Sequence, residues 1–473
     1  MHPGDRALEE IVDLLVETAS GRLGPESLDA IQAAAATLSL PRLELGAAFE
    51  RLGPASTTSV SKAKQIAETL WRNGLRGDVV IDELIRRDPS NAALRTISQR
   101  HRHFMPITRA GLKPIVHVAF FVPGAGNLGD RVLPSAVRRV LGFDDRHCVS
   151  KHVHQHFSMS EASVLAADTS VVVGGGGLIL PDTRANSRSG WQWNIDDQTI
   201  REIGRRSRSL VVFAVGVNLF SESEPLSARA TGSLTTLAEH ATMIGLRERG
   251  GIDRLRDVLP ASLHDRVVYT PCPTVLGPDY PSISSFPERL SIDTIGVNCA
   301  YDRADRRFSD VSAFEQRMAA FCARATKQGQ QIRVLAFHAR DRRFSQVLVE
   351  HGVPHRLDAL DSRPLDEVYG ILRSVGVVVA MRGHAQMIPF GLGIPFVTID
   401  SHPKTRYFAN DAGIGEFVVD ADSTSIAEQL HERLAVMQER WTHVRSALER
   451  SRSEMVGAIE AASTAFGLES ILR

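Results

Sequence analysis

The stretch from Val377 to Asp400 restricts this chain more than any other: Val-Val-Val-Ala-Met-Arg-Gly-His-Ala-Gln-Met-Ile-Pro-Phe-Gly-Leu-Gly-Ile-Pro-Phe-Val-Thr-Ile-Asp. It reads as strand, tight turn, helix, strand. The unbroken apolar run ending at Met381 has the pattern of a parallel strand covered on both faces, which places the chain in the α/β class. Arg382, Gly383 and His384 then fall where the strand hands over to a helix N-terminus, the ligand edge of an open α/β sheet. Backbone N–H groups at a helix start carry partial positive charge, a guanidinium offers a planar fork for phosphate or carboxylate, and an imidazole moves a proton near neutral pH. Lys404, after the next strand, adds a cation. The competing reading is that Arg382 and His384 form a structural cap.

At 473 residues the chain exceeds one compact core, so two or three domains are expected. Lys+Arg balances Asp+Glu at 55 each. That neutrality argues against a dedicated nucleic-acid or anionic-membrane surface and requires any cationic site to be local. No apolar run approaches the roughly 20 residues that span a bilayer, and the start lacks a basic-then-apolar leader, so a cytoplasmic protein is expected. Cys148, Cys272, Cys299 and Cys322 form no close pair, which indicates neither a zinc ribbon nor a redox motif.

Residues 1–110 read as a run of short helices punctuated by Gly24-Pro25, Gly53-Pro54 and Asp88-Pro89. Such an extension suits structural cover, partner docking or homo-oligomerisation. Residues 111–285 read as a first Rossmann-like domain. A strand over 115–122 leads into Pro-Gly-Ala-Gly-Asn-Leu-Gly-Asp130 and a helix over 131–141, so Asn127 and Asp130 stand at the loop mouth. Gly-x-Gly-x-x-Gly is present at 124–129, but no acidic residue closes a second strand about twenty positions on, which makes NAD a minor option. A second glycine run, Gly174 to Gly177, follows a short strand and predicts ligand contact through Gly175 and Gly176. Trp191 and Trp193 sit in a polar segment suited to a sugar or to a lid. Arg247-Glu248 ends a further strand, where the guanidinium meets an anion or simply pairs with its neighbour. His152, His154 and His156 would share one face of a strand, yet no carboxylate or thiolate partner is evident and no metal is assigned.

A crossing rich in proline and serine separates this domain from a second α/β series over 290–425, in which Asn298 and His338 end strands. Residues 426–473 read as helices packing back over both domains. The order Gly126-Asn-Leu-Gly-Asp130, Gly174–Gly177, Arg247-Glu248, Arg382-Gly-His384 with Gly393-Ile-Pro395, and Lys404 resembles the polysaccharide pyruvyl transferase family over residues 115–425.

That resemblance implies a GT-B-like fold of two facing Rossmann-like halves. It implies transfer of pyruvate from phosphoenolpyruvate, a co-substrate and not a cofactor, to two hydroxyls of a saccharide acceptor, free or lipid-linked, giving a ketal in polysaccharide biosynthesis. By the same resemblance Arg247, Arg382, Gly383 and Lys404 hold the donor, His384 moves the proton, and Asp130 and Asn127, with Gly175 and Gly176, meet the acceptor. No metal and no nucleic acid enter the scheme. The chain differs from the family pattern in having Gly383 where leucine is usual, and Thr270-Pro-Cys-Pro where Asp-Pro is usual. Two rivals share the fold: a nucleotide-sugar glycosyltransferase, with Glu367 as its ribose-binding carboxylate, and a non-catalytic binding protein.

Overall fold

In a computed structural model of the chain, residues 114–122, 126–180, 187–221 and 224–466 are described, together with position 85. The helices expected before residue 110 lie outside these residues, as does Gly124 of the first glycine loop.

Two parallel six-stranded sheets form the molecule. The first comprises β1 (Ile115–Ala119), β2 (Cys148–His152), β3 (Ser170–Ile179), β4 (Ser209–Val217), β5 (Met243–Leu246) and β6 (Val267–Tyr269), in the order β2-β1-β3-β4-β5-β6. The second comprises β7 (Thr294–Asn298), β8 (Gln331–Ala336), β9 (Arg356–Ala359), β10 (Val377–Ala380), β11 (Phe396–Asp400) and β12 (Val418–Asp420), in the order β12-β11-β10-β7-β8-β9. Each order reverses once, between β1 and β3 in the first sheet and between β7 and β10 in the second. In doubly wound sheets the crevice outside those strand ends takes the ligand. The strands are apolar on both faces, as in β10, because helices cover both sides.

Helix α1 (Leu128–Leu141) follows β1 and joins the halves. Its N-cap is Asn127, whose side chain accepts from Gly129 N. The amides of Gly126 and Leu128 donate across to the carbonyls of Asp361 and Phe337 at 3.0 and 2.8 Å. Arg131 reaches the carbonyls of Leu360, Asp361 and Arg363. The last helix, α2 (Trp441–Phe466), runs back from the second half and packs against α1. No helix among the described residues is long and apolar enough to cross a membrane.

The glycine run is not a loop. β3 continues through Gly174–Gly177 and pairs with β4 at Gly174↔Phe213 and Gly176↔Val215. Gly175 and Gly176 take φ of +76° and +100°, and a methyl group on Gly175 would stand 2.5 Å from Leu133 Cγ. The run therefore lets a distorted strand pass close under α1. Trp191 and Trp193 are fully buried in the first half's core, where the Trp191 indole donates to Ser233, so neither offers a platform to a sugar.

Candidate functional site

The C-terminal ends of both sheets face one cleft of about 360 Å³. From the first half it is lined by Phe120, Asn127, Asp130, His154, Gly177, Leu180, Gln192, Asn218 and Arg247. From the second come Asp302, Arg303, Arg307, Arg340, Arg382, Gly383, His384 and Lys404. The structure thus brings Arg247, Arg382, Gly383, His384, Lys404, Asp130 and Asn127 together. It leaves Gly175 and Gly176 out, because they lie within β3 under Leu133; Gly177 alone of that run reaches the cleft. Glu367 is elsewhere, paired with Arg363 at 3.1 Å.

Arg382 ends β10, and its position is fixed by three strand ends. Its Nε and Nη2 donate to Asp341 at 2.8 and 2.6 Å, and Nη2 also meets Asp302 at 2.6 Å. Asp341, fully buried, further accepts from the Asn298 amide and from the backbone N–H groups of Phe337 and His338. Asn298 in turn accepts from Arg382 N at 3.1 Å. His338 caps the turn after β8 instead of entering the cleft. Burial opposes the Arg382 charge, but the two carboxylates hold the guanidinium firmly protonated. Burial likewise pulls Asp302 upward, and Arg382 and Arg307 overcome it, leaving the carboxyl well below its usual range.

Arg247 follows β5 and is buried with Glu248, whose carboxylate takes its Nε. Gly216 makes room for it: a Cβ there would stand 2.6 Å from Arg247 Nε. Burial pushes the Glu248 carboxyl up.

Helix α3 (Gly383–Gly391) starts at the cleft, with no side chain capping its first amides. That leaves its positive end available to an anion. His384 in its first turn lies against the opposite half. A methyl group on Gly129 would stand 1.9 Å from His384 Nδ1, and Cys272 Sγ is 3.7 Å from Nε2. Burial, then Arg247, Lys404 and Arg382, hold the imidazole well below its usual range, so it is neutral at pH 7. Lys404 is brought down to about 7 by burial, Arg307 and Arg247. Asp130 is raised by burial against the pull of Asn127, Arg247 and Lys404, and the Asn127 amide donates to it at 2.9 Å.

Sequence reasoning missed Asp302, Asp341, Arg303, Arg307 and Arg340. All five follow β7 or β8, and the rule that parallel strands end at the ligand edge would have drawn attention to them. Of the histidines read as one strand face, His152 at the end of β2 and His154 in the cleft lining stay together, ring centroids 5.1 Å apart, while His156 is buried near Asp196. Among the described residues no group of three His, Cys, Asp or Glu side chains could hold a metal ion.

A family model described as polysaccharide pyruvyl transferase matches residues 66–403. No curated protein matches the chain. Among solved structures, an O-GlcNAc transferase mutant from Thermobaculum terrenum is 12% identical with a TM-score of 0.41, covering 100% of this chain and 98% of that one. A UDP-GlcNAc 2-epimerase from Neisseria meningitidis, bound to UDP-GlcNAc, is 12% identical with a TM-score of 0.40, covering 76% and 99%. A UDP-forming trehalose-phosphate synthase from Burkholderia vietnamiensis is 10% identical with a TM-score of 0.40, covering 67% and 78%. Likeness this distant says nothing about the site.

Proposed function

Since the chain belongs to the polysaccharide pyruvyl transferase family, we propose that it moves pyruvate from phosphoenolpyruvate onto two hydroxyls of a saccharide, closing a cyclic ketal and releasing phosphate. The observation that carries this reading is the convergence of Arg247, Arg382, Lys404 and His384 from two halves on one small cleft. Phosphoenolpyruvate carries both a phosphate and a carboxylate, and such a donor is matched by several cations fixed in advance.

The balance of the reaction assigns the protons. C3 of the donor gains one proton, while C2 loses its bond to the phosphate oxygen and gains bonds to two acceptor oxygens. Of the two protons leaving the acceptor hydroxyls, one matches the proton delivered to C3 and the other departs with phosphate.

His384 is held well below its usual range by burial first, and then by Arg247, Lys404 and Arg382. A bound polyanion offsets the cations' share of that shift and raises its basicity, so donor binding favours the charged form of the acid that serves C3. Lys404, near 7, is protonated by the same event and stays on the phosphate. Asp130, whose raised pKa makes it a stronger base, takes the hydroxyl proton, and Asn127 holds its carboxylate in place. This proton transfer contributes on the order of 10²–10⁴-fold to the rate. On this reading the reaction is cytoplasmic and its acceptor is a free or lipid-linked saccharide.

The test is phosphate release from phosphoenolpyruvate with a panel of saccharides, run beside thermal shift with phosphoenolpyruvate, UDP and GDP. Stabilisation by phosphoenolpyruvate and acceptor-dependent phosphate release are expected. Stabilisation by UDP or GDP alone would instead make the protein a nucleotide-sugar enzyme.

A further inference from the structure

The walls of the cleft differ in chemistry. On the second half stand Asp302, Arg303, Arg307, Arg340, Arg382 and Lys404, every one ionisable. Across from them, beside Asp130 and Arg247, the first half contributes Phe120, Leu180, His154, Gln192 and Asn218, which carry an aromatic ring, an aliphatic chain, an imidazole and two amides. This wall lies at the end of β3, since Phe120 follows β1 and Asn218 follows β4, the strands on either side of it.

The wall is built, not merely left over. Gln192 is buried, and its Oε1 accepts from His154 Nε2 at 2.7 Å, which fixes the orientation of the imidazole. The Phe120 ring stands edge-on to that imidazole, centroids 5.2 Å apart at 80°. Asn218 occupies space that only a glycine in β3 leaves open: a Cβ on Gly177 would stand 2.1 Å from its Nδ2. Its amide nitrogen leans on Gly177 O at 3.5 Å, while Oδ1 is buried without a hydrogen-bond partner. A buried amide oxygen left in that state is costly unless a ligand donor completes it.

We propose that this wall is the acceptor subsite, and that Asn218 and the His154–Gln192 pair select a neutral sugar ring. Asn218 Oδ1 accepts from a sugar hydroxyl, Phe120 covers a C–H face, and the ring lies between this wall and the Asp130–His384 pair. Amides and one aromatic ring recognise hydroxyls and C–H groups, whereas the facing arginines and lysine suit the anionic donor. The assignment rests on the transferase reading, and it moves acceptor contact from Gly175 and Gly176 to side chains on the neighbouring strand ends.

The experiment measures saccharide binding by saturation-transfer NMR, with and without phosphoenolpyruvate, together with thermal shift by phosphoenolpyruvate, for the parent chain, Asn218→Ala and Gln192→Ala. Each variant is expected to weaken saccharide binding about tenfold while keeping the stabilisation by phosphoenolpyruvate. That retained stabilisation also shows that the variant is folded. A saccharide bound equally well by the parent and both variants overturns the subsite, as does a parent that takes phosphoenolpyruvate but no saccharide. Saccharide binding that is lost in the variants, in a protein that phosphoenolpyruvate never stabilises, leaves the subsite standing and removes the donor reading.

Discussion

The two halves hold their buried arginines differently. In the second half, Arg382 is gripped by Asp341, which follows β8, and by Asp302, which follows β7, and its amide is tied to Asn298 at the end of β7. In the first half, Arg247 has one carboxylate partner, its own neighbour Glu248, in a space opened by Gly216. Arg382 is therefore a framework piece whose charge is largely spent on the protein. Lys404 and Arg340 pair with no carboxylate among the described residues, and under the proposed function they supply attraction for the donor.

Removing Arg382 should have the largest effect. Arg382→Ala would strand a buried Asp341, with a stability loss of about 3–5 kcal/mol in chemical denaturation and a fall in pyruvyl transfer on the order of 10²–10³-fold. A variant that unfolds like the parent would show that the carboxylate clamp is not the framework described.

Next comes Gly129→Ala, which forces the imidazole off its seat. Misplacing a proton donor by about 1 Å costs on the order of 10²-fold, so kcat should fall by that factor while stabilisation by phosphoenolpyruvate persists. Unchanged kcat would place the acid elsewhere.

The third effect is one of pH. Lys404 titrates at about 7 in the folded chain against 10.5 as a free side chain. Between those values the unfolded state binds the extra proton, so stability of the empty protein rises with pH through that window. Donor binding needs the charged form, so its affinity should fall roughly fivefold from pH 7 to pH 8, as expected for one group of pKa near 7. Calorimetry in buffers of differing ionisation enthalpy should show proton uptake above neutrality, and Lys404→Arg should flatten the profile. Arg340, exposed at the cleft mouth, should matter least: Arg340→Ala is expected to slow donor association about two- to fivefold at low salt, with the difference vanishing at high salt.

The first half was also the harder to read from sequence. In the second, the pattern reading and the structure coincide at Thr294–Asn298 and Leu365–Arg373, because periodicity and strand length suffice for apolar segments bounded by breakers. Strand β9 escaped notice there, since Arg356 and Asp358 break the apolar pattern of an edge strand. In the first, the four glycines read as a ligand-contacting run beyond a short strand because composition cannot reveal that β4 pairs with them. Trp191 and Trp193 looked available to a sugar because a sequence shows aromatic character but not enclosure. The cleft residues named from the strand-to-helix turn came out together, whereas Asp341, 41 residues from the guanidinium it holds, could not be paired with it by any local rule.

His384 takes its place from the half that does not carry it, through Gly129 and Cys272. Swing the lobes apart and the imidazole loses both neighbours at once, so under the proposed mechanism the aim of its proton, though not its presence beside the donor, depends on the two halves staying together.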